Sequence, residues 1–360
     1  MKKVSSWVFV FEATLIFNSV VCAAPPQYTL TEIGSLGGRN NVGYAINENG
    51  DVVGQASTDL SESPSYHAFF YDHTRNLTTD LGTLGGPNSL ARAINDCSRI
   101  AGSSDIDING RHAALLSSRT DLGTLGGPIS DANSLNDAGD AVGIATDSAG
   151  QAHAVFFGRS GTITDLGIGF AAAINARGDI AANDPTGAFI LSRASKTYLG
   201  TLGGTTQARG LNNLRQLVGD SQLGNGMPTH AFLYYQGKLA DLGTLTPGYG
   251  SSSAAAINDL GEIVGRSDVL PAGASQGVQH AFLYTRRNMQ DLNALIAPED
   301  PLRPFVTLAD AVGINCAGWI VANGYDSRGP FGPFPRAYLM TRDGLARKEC
   351  ASKADSDERP

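Results

Sequence analysis

The stretch LGTLGGPNSLARAINDCSRIAGSSDIDINGRHAALLSSRTD, residues 81–121, decides the fold, and LGTLGG begins again at residue 122. It contains three motifs in a fixed order: a glycine turn, an Ala-Ile-Asn hairpin, and a strand that begins with His-Ala. The hairpin motif occurs seven times along the chain, with its asparagines 37–57 residues apart. Four short strands within each repeat of this length are typical of a propeller blade.

The seven repeats predict an all-β fold, a seven-bladed β-propeller of four-stranded antiparallel blades that spans residues 27–345. The last repeat lacks its fourth strand, and a matching segment, residues 28–38, stands alone before the first repeat. The N-terminal strand is therefore expected to complete the last blade and close the ring, which removes exposed sheet edges. An open β-solenoid is the alternative, although it would need capping repeats at both ends. Residues 346–360 have no apolar pattern and are predicted to form a mobile tail.

The composition fits a β-rich fold with many turns. The chain has 360 residues, of which 17% are charged and 44 are glycine. Its net charge is -8, and the sequence contains no basic cluster. Nucleic acids and anionic membrane surfaces are bound by fields of lysine and arginine, so neither is expected as a partner.

The N-terminus has the pattern of a secretory signal peptide. A basic start, Met1-Lys2-Lys3, precedes a mostly apolar stretch and the small-residue site at Cys22-Ala23. Residues 1–23 are predicted to be removed, and no segment after residue 24 is apolar enough to span a bilayer. A lipoprotein site at Cys22 is the weaker alternative. The predicted location is secreted or periplasmic.

Removal of the signal peptide would leave three cysteines, Cys97, Cys316 and Cys350, in a compartment that favours disulfides. Cys316–Cys350 is the preferred bridge, because both residues belong to the last repeat and its tail. Three free thiols remain the alternative.

Five of the six histidines begin the third strand of a repeat, and an aspartate ends the fourth strand of the same repeat. Neighbouring strands of a hairpin can bring such residues together. The predicted pairs are His67–Asp80, His112–Asp121, His153–Asp165, His230–Asp241 and His280–Asp291. The fourth repeat has lost both partners, with Gly187 and Tyr198 in their places, and the split repeat would pair Arg336 with Glu32. Joint loss and joint replacement favour structural pairs over metal ligands or catalytic residues.

The loop of the second repeat resembles a calcium loop, because Asp105, Asp107 and Asn109 place oxygen ligands at alternate positions before a glycine. The glutamate that such a loop requires is absent, since Leu116 occupies its position. An ordinary hairpin loop is the alternative. Calcium is left open, and no other cofactor is expected.

Loops between the second and third strands are longest in repeats one, six and seven, which are contiguous in a closed ring. Exposed side chains in the loops of a rigid scaffold are candidates for ligand binding. The candidates in and beside these loops are Tyr66, Asp268, Tyr325, Asp326, Phe331 and Phe334. Neutral variation in loop length is the alternative explanation.

The three recurring motifs, for example Leu81–Gly86, Ala93–Gly102 and His230–Leu233, resemble the HAF family of probable extracellular repeat proteins. The resemblance covers roughly residues 27–340 and implies a secreted bacterial protein with no established activity. The fourth repeat departs most from the pattern.

The sequence thus favours a monomeric binding or scaffold module for an extracellular or envelope ligand, either a polysaccharide or a protein. A secreted polymer-degrading enzyme is the alternative, although its acidic loop residues are too dispersed to assign a catalytic site. A purely structural surface protein is the third possibility.

Overall fold

The computed structural model describes residues 27–274, 276–328 and 334–342. The predicted signal peptide, Phe331, Cys350 and the predicted tail lie outside these described residues. The described part of the chain forms 28 strands and one 3₁₀ helix, Leu292–Leu295. No helix in this part is long and apolar enough to cross a bilayer.

Strand β1 (Thr29–Glu32) precedes the repeats, and the strands that follow form six units of four and a last unit of three. Unit one contains β2 (Asn41–Ile46), β3 (Val52–Ser57), β4 (Tyr66–Asp72) and β5 (Leu77–Gly82). Unit two contains β6 (Ser89–Ile94), β7 (Ile100–Asp105), β8 (Arg111–Leu115) and β9 (Thr120–Gly123). Unit three contains β10 (Gly126–Leu135), β11 (Ala141–Asp147), β12 (Ala152–Phe157) and β13 (Ile163–Ile168).

The remaining units follow the same order. Unit four contains β14 (Phe170–Ile174), β15 (Ile180–Asp184), β16 (Gly187–Ser192) and β17 (Ser195–Tyr198). Unit five contains β18 (Thr206–Leu211), β19 (Leu217–Gln222), β20 (Thr229–Tyr235) and β21 (Lys238–Asp241). Unit six contains β22 (Ser252–Ile257), β23 (Ile263–Val269), β24 (Val278–Thr285) and β25 (Asn288–Asp291). Unit seven contains β26 (Val306–Ile314), β27 (Ile320–Asp326) and β28 (Phe334–Thr341).

Each unit pairs its strands in chain order as an antiparallel meander. Units one, four, five and six form separate four-stranded sheets, and a single parallel bridge between Ile129 and Arg111 joins units two and three. The sheet of unit seven takes its fourth strand from the start of the chain, because β1 pairs antiparallel with β28 and Thr31 lies opposite Leu339. Both ends of the described chain therefore contribute to one sheet.

The hydrophobic core lies between the sheets. The first strands of successive units contact one another, and β26 contacts β2. A separate apolar cluster fills each space between successive units, including the space between units seven and one. In that last cluster Val52 and Phe69 pack with Val321 and Leu339.

The recurring motifs have direct packing roles. The phenylalanine of the third strand is fully buried between sheets at Phe69, Phe232 and Phe282, and each such ring contributes roughly 1.5–3 kcal/mol by leaving water. The glycine after the valine pair is needed for space, because a Cβ at Gly54 would lie 2.0 Å from the Val42 carbonyl oxygen.

A serine at the start of the first strand links neighbouring units. The Ser89 hydroxyl accepts a hydrogen bond from the Ala68 amide (2.8 Å) and donates one to the Gly82 carbonyl (2.6 Å). Ser130 and Ser252 repeat this arrangement. The alanine of the His-Ala motif therefore keeps a partner for its amide at a point where a bulge interrupts the strand ladder.

Candidate functional site

The asparagine of each hairpin stabilises its own turn. At unit four the Asn175 side-chain oxygen accepts hydrogen bonds from the Arg177 amide (3.0 Å) and the Asp179 amide (2.9 Å). The equivalent bond recurs at the other hairpins, for example from Asp140 to Asn136 and from Glu262 to Asn258. This self-capping is the role that asparagine commonly plays in tight turns.

The NH₂ group of the same asparagine side chain links one unit to the next. Each of these side-chain NH₂ groups donates to the backbone carbonyl of the asparagine in the following unit, at 3.0–3.3 Å. The donors run in the order Asn47, Asn95, Asn136, Asn175, Asn212, Asn258 and Asn315. The amide of Asn315 donates to the Asn47 carbonyl, so the series of bonds returns to its start.

These hairpins surround a cavity of about 490 Å³, which we call the turn-face pocket. Its apolar wall consists of the residue before each asparagine, and its polar rim consists of the asparagines and the residues that follow them. Four of the rim residues are acidic: Glu48, Asp96, Asp137 and Asp259. No lysine, arginine or histidine is among the described residues that line it.

Backbone amides hold these carboxylates in position. The Asp96 side chain accepts from the Glu48 amide (2.9 Å), and the Asp137 side chain accepts from the Asp96 amide (3.0 Å). The Asp259 side chain accepts from the Asn213 amide (2.8 Å), and the Glu48 carboxylate accepts from the Cys316 amide (3.0 Å). The rim therefore presents fixed negative charge rather than freely moving side chains.

Burial and neighbouring like charges raise the pKa values of two rim carboxyl groups, Glu48 and Asp96. Glu48 reaches solvent at the rim, yet the walls around it reduce its hydration. This desolvation, together with the charges of Asp96, Asp259 and Asp137, raises the pKa of Glu48 from 4.5 to about 7, although the Cys316 amide opposes the shift. Desolvation also raises the pKa of Asp96, with a further contribution from Asp137. A cationic group bound in the pocket would relieve this repulsion.

The predicted calcium ligands do not form a compact cluster with other acidic groups. The Asp105 carboxylate accepts from the Asn88 side chain (2.8 Å), while Asp107 caps the amides of Asn109 and Gly110 (2.7 and 2.8 Å). In the described part of the chain, no group of three or more His, Cys, Asp or Glu side chains could hold a metal ion. These contacts are those of an ordinary hairpin loop, and a calcium site there stays a prediction.

The structure brings the five predicted histidines and aspartates together. The shortest Nδ1–carboxylate distances are 2.9 Å for His67–Asp80, 2.8 Å for His112–Asp121, 2.9 Å for His153–Asp165, 2.9 Å for His230–Asp241 and 2.7 Å for His280–Asp291. The aspartate does not lie directly opposite the histidine. Asp80 lies opposite Phe69, and a bulge lets its carboxylate reach both His67 and the Gly82 amide.

Unit four replaces this pair with a different group. The Asp184 carboxylate accepts hydrogen bonds from Lys196 and from the Tyr198 hydroxyl (2.8 Å). Although burial opposes the shift, these bonds and two backbone amides lower the pKa of Asp184 to about 2. The Lys196 ammonium also lies over the Phe189 ring, at 3.8 Å.

The split unit forms a network of four charged residues rather than a simple pair. Arg336 Nε is 3.7 Å from the Glu32 carboxylate, as the sequence comparison suggested, but Arg328 approaches Glu32 more closely, at 2.8 Å. Arg328 also pairs with Asp326. The predicted ligand residue Asp326 is thus already bound within the protein.

The other candidate ligand residues only partly converge. Tyr66 accepts a hydrogen bond from Asn40 (3.2 Å). The residue before Asn40, Arg39, lies over the Phe334 ring at 5.5 Å, which brings the ends of units one and seven together. Tyr325 is 47% exposed. Asp268 caps the Ser251 amide in unit six, and Phe331 lies outside the described residues.

The rim carboxylates were not among the sequence candidates; they lie at the variable positions of the hairpin turns. One signal could have indicated them. The residue after the repeat asparagine is acidic in four of the seven copies, and those positions share one end of equivalent strands.

No protein-family model matches the chain. No curated protein matches it either. Among solved structures, the β-propeller domain of the Trilobed protease from Pyrococcus furiosus, described as having an open velcro topology, superposes with a TM-score of 0.54 and 11% identity. The match covers 85% of this chain and 94% of that one.

Two further solved structures are more distant. TolB from Acinetobacter baumannii has a TM-score of 0.38 at 13% identity, covering 81% of this chain and 80% of that one. A gluconolactonase from Xanthomonas campestris has a TM-score of 0.39 at 6% identity, covering 89% and 96%. The antiparallel sheets and the first of these similarities define the chain as an all-β protein of the β-propeller class.

Proposed function

We propose that the chain is a secreted, monomeric, closed seven-bladed propeller that acts as a binding module for an extracellular or envelope ligand. Closure is supported by the pairing of β1 with β28 and by the hydrogen bonds that lead from Asn315 back to Asn47. The apolar cluster between units seven and one supports it as well. In such a ring the turn-face pocket is one mouth of the central channel.

The ligand is a protein or polysaccharide that presents a cationic group, such as an amine or a guanidinium, to this mouth. The observation that carries the proposal is the convergence of Glu48, Asp96, Asp137 and Asp259 in a pocket whose described lining contains no basic side chain. Raised pKa values at Glu48 and Asp96 are typical of functional sites. Fixed carboxylates in a concave site attract and orient a cation.

Parallel binding arrays test which face of the propeller binds. The purified chain, a pocket variant (D96N/D137N) and a loop variant (Y325S) are screened against peptides and polysaccharides, including chitosan oligomers as cationic glycans. If the turn-face pocket is the binding site, cationic ligands should bind the unmodified chain and Y325S but not D96N/D137N. Ligands lost only in Y325S would assign binding to the loop face, and an absence of any ligand would favour a purely structural protein.

A polymer-degrading enzyme is the second candidate because of one residue in the first strand of unit seven. Desolvation raises the pKa of Asp310, although Arg266 and Arg209 oppose the shift. The Arg266 guanidinium lies 4.0 Å from the Asp310 carboxylate. A carboxyl group whose pKa is raised by burial is suited to act as a general acid. Release of reducing ends from a polysaccharide panel, abolished in D310N, would establish this activity.

A further inference from the structure

A second cavity, which we call the outer groove, lies between units four and five and has a volume of about 720 Å³. One wall is the hairpin of β16 and β17, with Arg193 in its turn, and the other is the hairpin of β20 and β21, with Tyr235 beside its turn. The turn between β18 and β19 contributes to both cavities. Arg215 lines the outer groove, whereas Asn212 and Asn213 line the turn-face pocket. The outer groove is therefore a separate site next to that pocket.

The charge of the outer groove is opposite to that of the turn-face pocket. Arg193 and Arg215 line the groove, and no acidic side chain is among the described residues of its lining. The net charge of the whole chain, -8, opposes the binding of anions. At physiological ionic strength, however, charges further away than roughly 8 Å are largely screened. The two arginines therefore make the groove attractive to a negatively charged group.

A buried carboxylate fixes one of these arginines in place. Asp179 is 2% exposed, and its oxygens accept hydrogen bonds from Arg215 Nε (2.8 Å) and from Arg215 Nη2 (3.0 Å). The Ser192 hydroxyl donates to the same carboxylate (2.6 Å). A guanidinium has more N–H donors than this pairing uses, and the Arg215 side chain is 49% exposed. Arg215 therefore presents further donors to the groove in a fixed orientation.

The rest of the lining is suited to a sugar ring. The Tyr235 side chain is 40% exposed, and an aromatic ring of this kind offers an apolar face with a polar edge. Hydroxyl and amide groups that can bond to sugar hydroxyls come from Ser195, Thr197 and Gln236. A carboxylate-bearing sugar would use all of these groups together, whereas a simple anion would use only the arginines.

We infer that the outer groove binds a uronic acid residue of an acidic polysaccharide. The carboxylate of the sugar pairs with Arg193 and Arg215, because a guanidinium offers paired donors in the geometry that a carboxylate accepts. The sugar ring packs against Tyr235. No carboxylate of the turn-face pocket lines the groove, so the inference does not depend on the proposed cation-binding role of that pocket.

Calorimetric titration of trigalacturonate and of its fully methyl-esterified form tests this site, because the two probes differ chiefly in the charge of their carboxyl groups. The free acid should bind the unmodified chain at least about fivefold more tightly than the ester. R193Q should remove most of that difference, whereas R75Q, at an exposed arginine of unit one, should keep it. Y235S should weaken the binding of both probes alike, since packing against the ring does not depend on charge.

Equal affinity of the acid and the ester for the unmodified chain would overturn the inference, as would no binding of either probe or an R193Q variant that behaves like R75Q. Tighter binding of tetraglutamate than of trigalacturonate would replace the sugar with an acidic peptide. D96N/D137N should bind trigalacturonate at least as tightly as the unmodified chain, and a loss there would place the sugar in the turn-face pocket. Failure of tetralysine, a cationic probe, to bind the chain would refute the proposed cation site alone.

Discussion

At the scale of single residues, the repeat asparagine does two jobs with one amide. Its oxygen closes the hairpin of its own unit, and its NH₂ group bonds to the next unit. The side-chain amide supplies both an acceptor and donors, whereas an aspartate carboxylate can only accept. This favours asparagine over aspartate at all seven positions.

The Asn136→Asp substitution tests this double role. The carboxylate can still accept from the Asp140 amide, but it cannot donate to the Asn175 carbonyl, and it adds charge beside Asp137. We expect a loss of about 1–3 kcal/mol in the free energy of unfolding, measured by urea denaturation. The control is N288D, at the exposed first residue of β25; equal stability of the two variants would contradict the interpretation.

Glu48 should make the stability of the protein depend on pH. Its pKa is raised from 4.5 in the unfolded chain to about 7 in the fold. Its contribution to stability is therefore complete below pH 4.5 and is lost as the pH rises through 7. Because the side chain reaches solvent, the effect should be at most about 1 kcal/mol.

The free energy of unfolding of E48Q should depend less on pH between 4.5 and about 7 than that of the wild type. The control is E62Q, a substitution in the exposed loop after β3, which should behave like the wild type. Thermal unfolding at half-unit steps from pH 4 to pH 8 measures it. An unchanged slope in E48Q would show that Glu48 is not desolvated by its neighbours.

At the scale of the strand pair, the histidine is only one part of the group that stabilises each hairpin. We call this group the hairpin clasp: the histidine, the aspartate and the glycine amide two residues after the aspartate. Asp241 accepts from the Gly243 amide (2.7 Å) as well as contacting His230, so it holds the bulge and the next turn together. The same arrangement holds at Asp165, where the Gly167 amide and His153 lower the pKa of the carboxyl group against its partial burial.

A double-mutant cycle on His230 and Asp241 measures the clasp. H230A removes one contact and should cost about 0.5–1.5 kcal/mol, whereas D241A removes the turn contact too and should cost more. The double mutant should be less destabilised than the sum of the single mutants, since both remove the same contact. Strict additivity would mean that the two residues do not interact in solution.

The sequence predicted these hairpins well because their signals are local. Glycine, asparagine and the alternating apolar residues each specify a strand or turn within a few positions. It did not predict Lys196 as the replacement in unit four or Arg328 as the main partner of Glu32. Both contacts are made by long side chains that reach across a strand or a loop. The other repeats have no such pair at an equivalent spacing, so the repeat pattern did not indicate these contacts. The rim carboxylates were missed for a related reason, since they meet only when separate units are assembled.

At the scale of the whole molecule, the proposed closed propeller requires strands from the two ends of the described chain to pair. Thr29 and Thr341 are paired residues of β1 and β28. T29C/T341C should therefore form a disulfide without denaturation and raise the melting temperature, since the crosslink closes almost the entire chain. The control T29C/T285C places the second cysteine at the end of β24 in unit six. Peptide mapping by mass spectrometry measures the amount of each disulfide. If T29C/T341C forms no more disulfide than the control, closure is contradicted.

The turn-face pocket depends on this assembly, because every unit contributes to its lining and Glu48 and Cys316 come from the first and the last unit. A pocket built in this way has no counterpart in a single repeat. Its negative charge is the property that favours the proposed binding module over a structural protein with no ligand.

Calorimetric titration of tetralysine into the full chain and into D96N/D137N tests that property most directly. We expect saturable binding that weakens at least about tenfold in D96N/D137N and is reduced by added salt. Binding should be unchanged in D59N/E62Q, which removes two carboxylates from the loop after β3. Equal affinity of the chain and D96N/D137N for tetralysine would contradict the claim that this pocket is the cation-binding site.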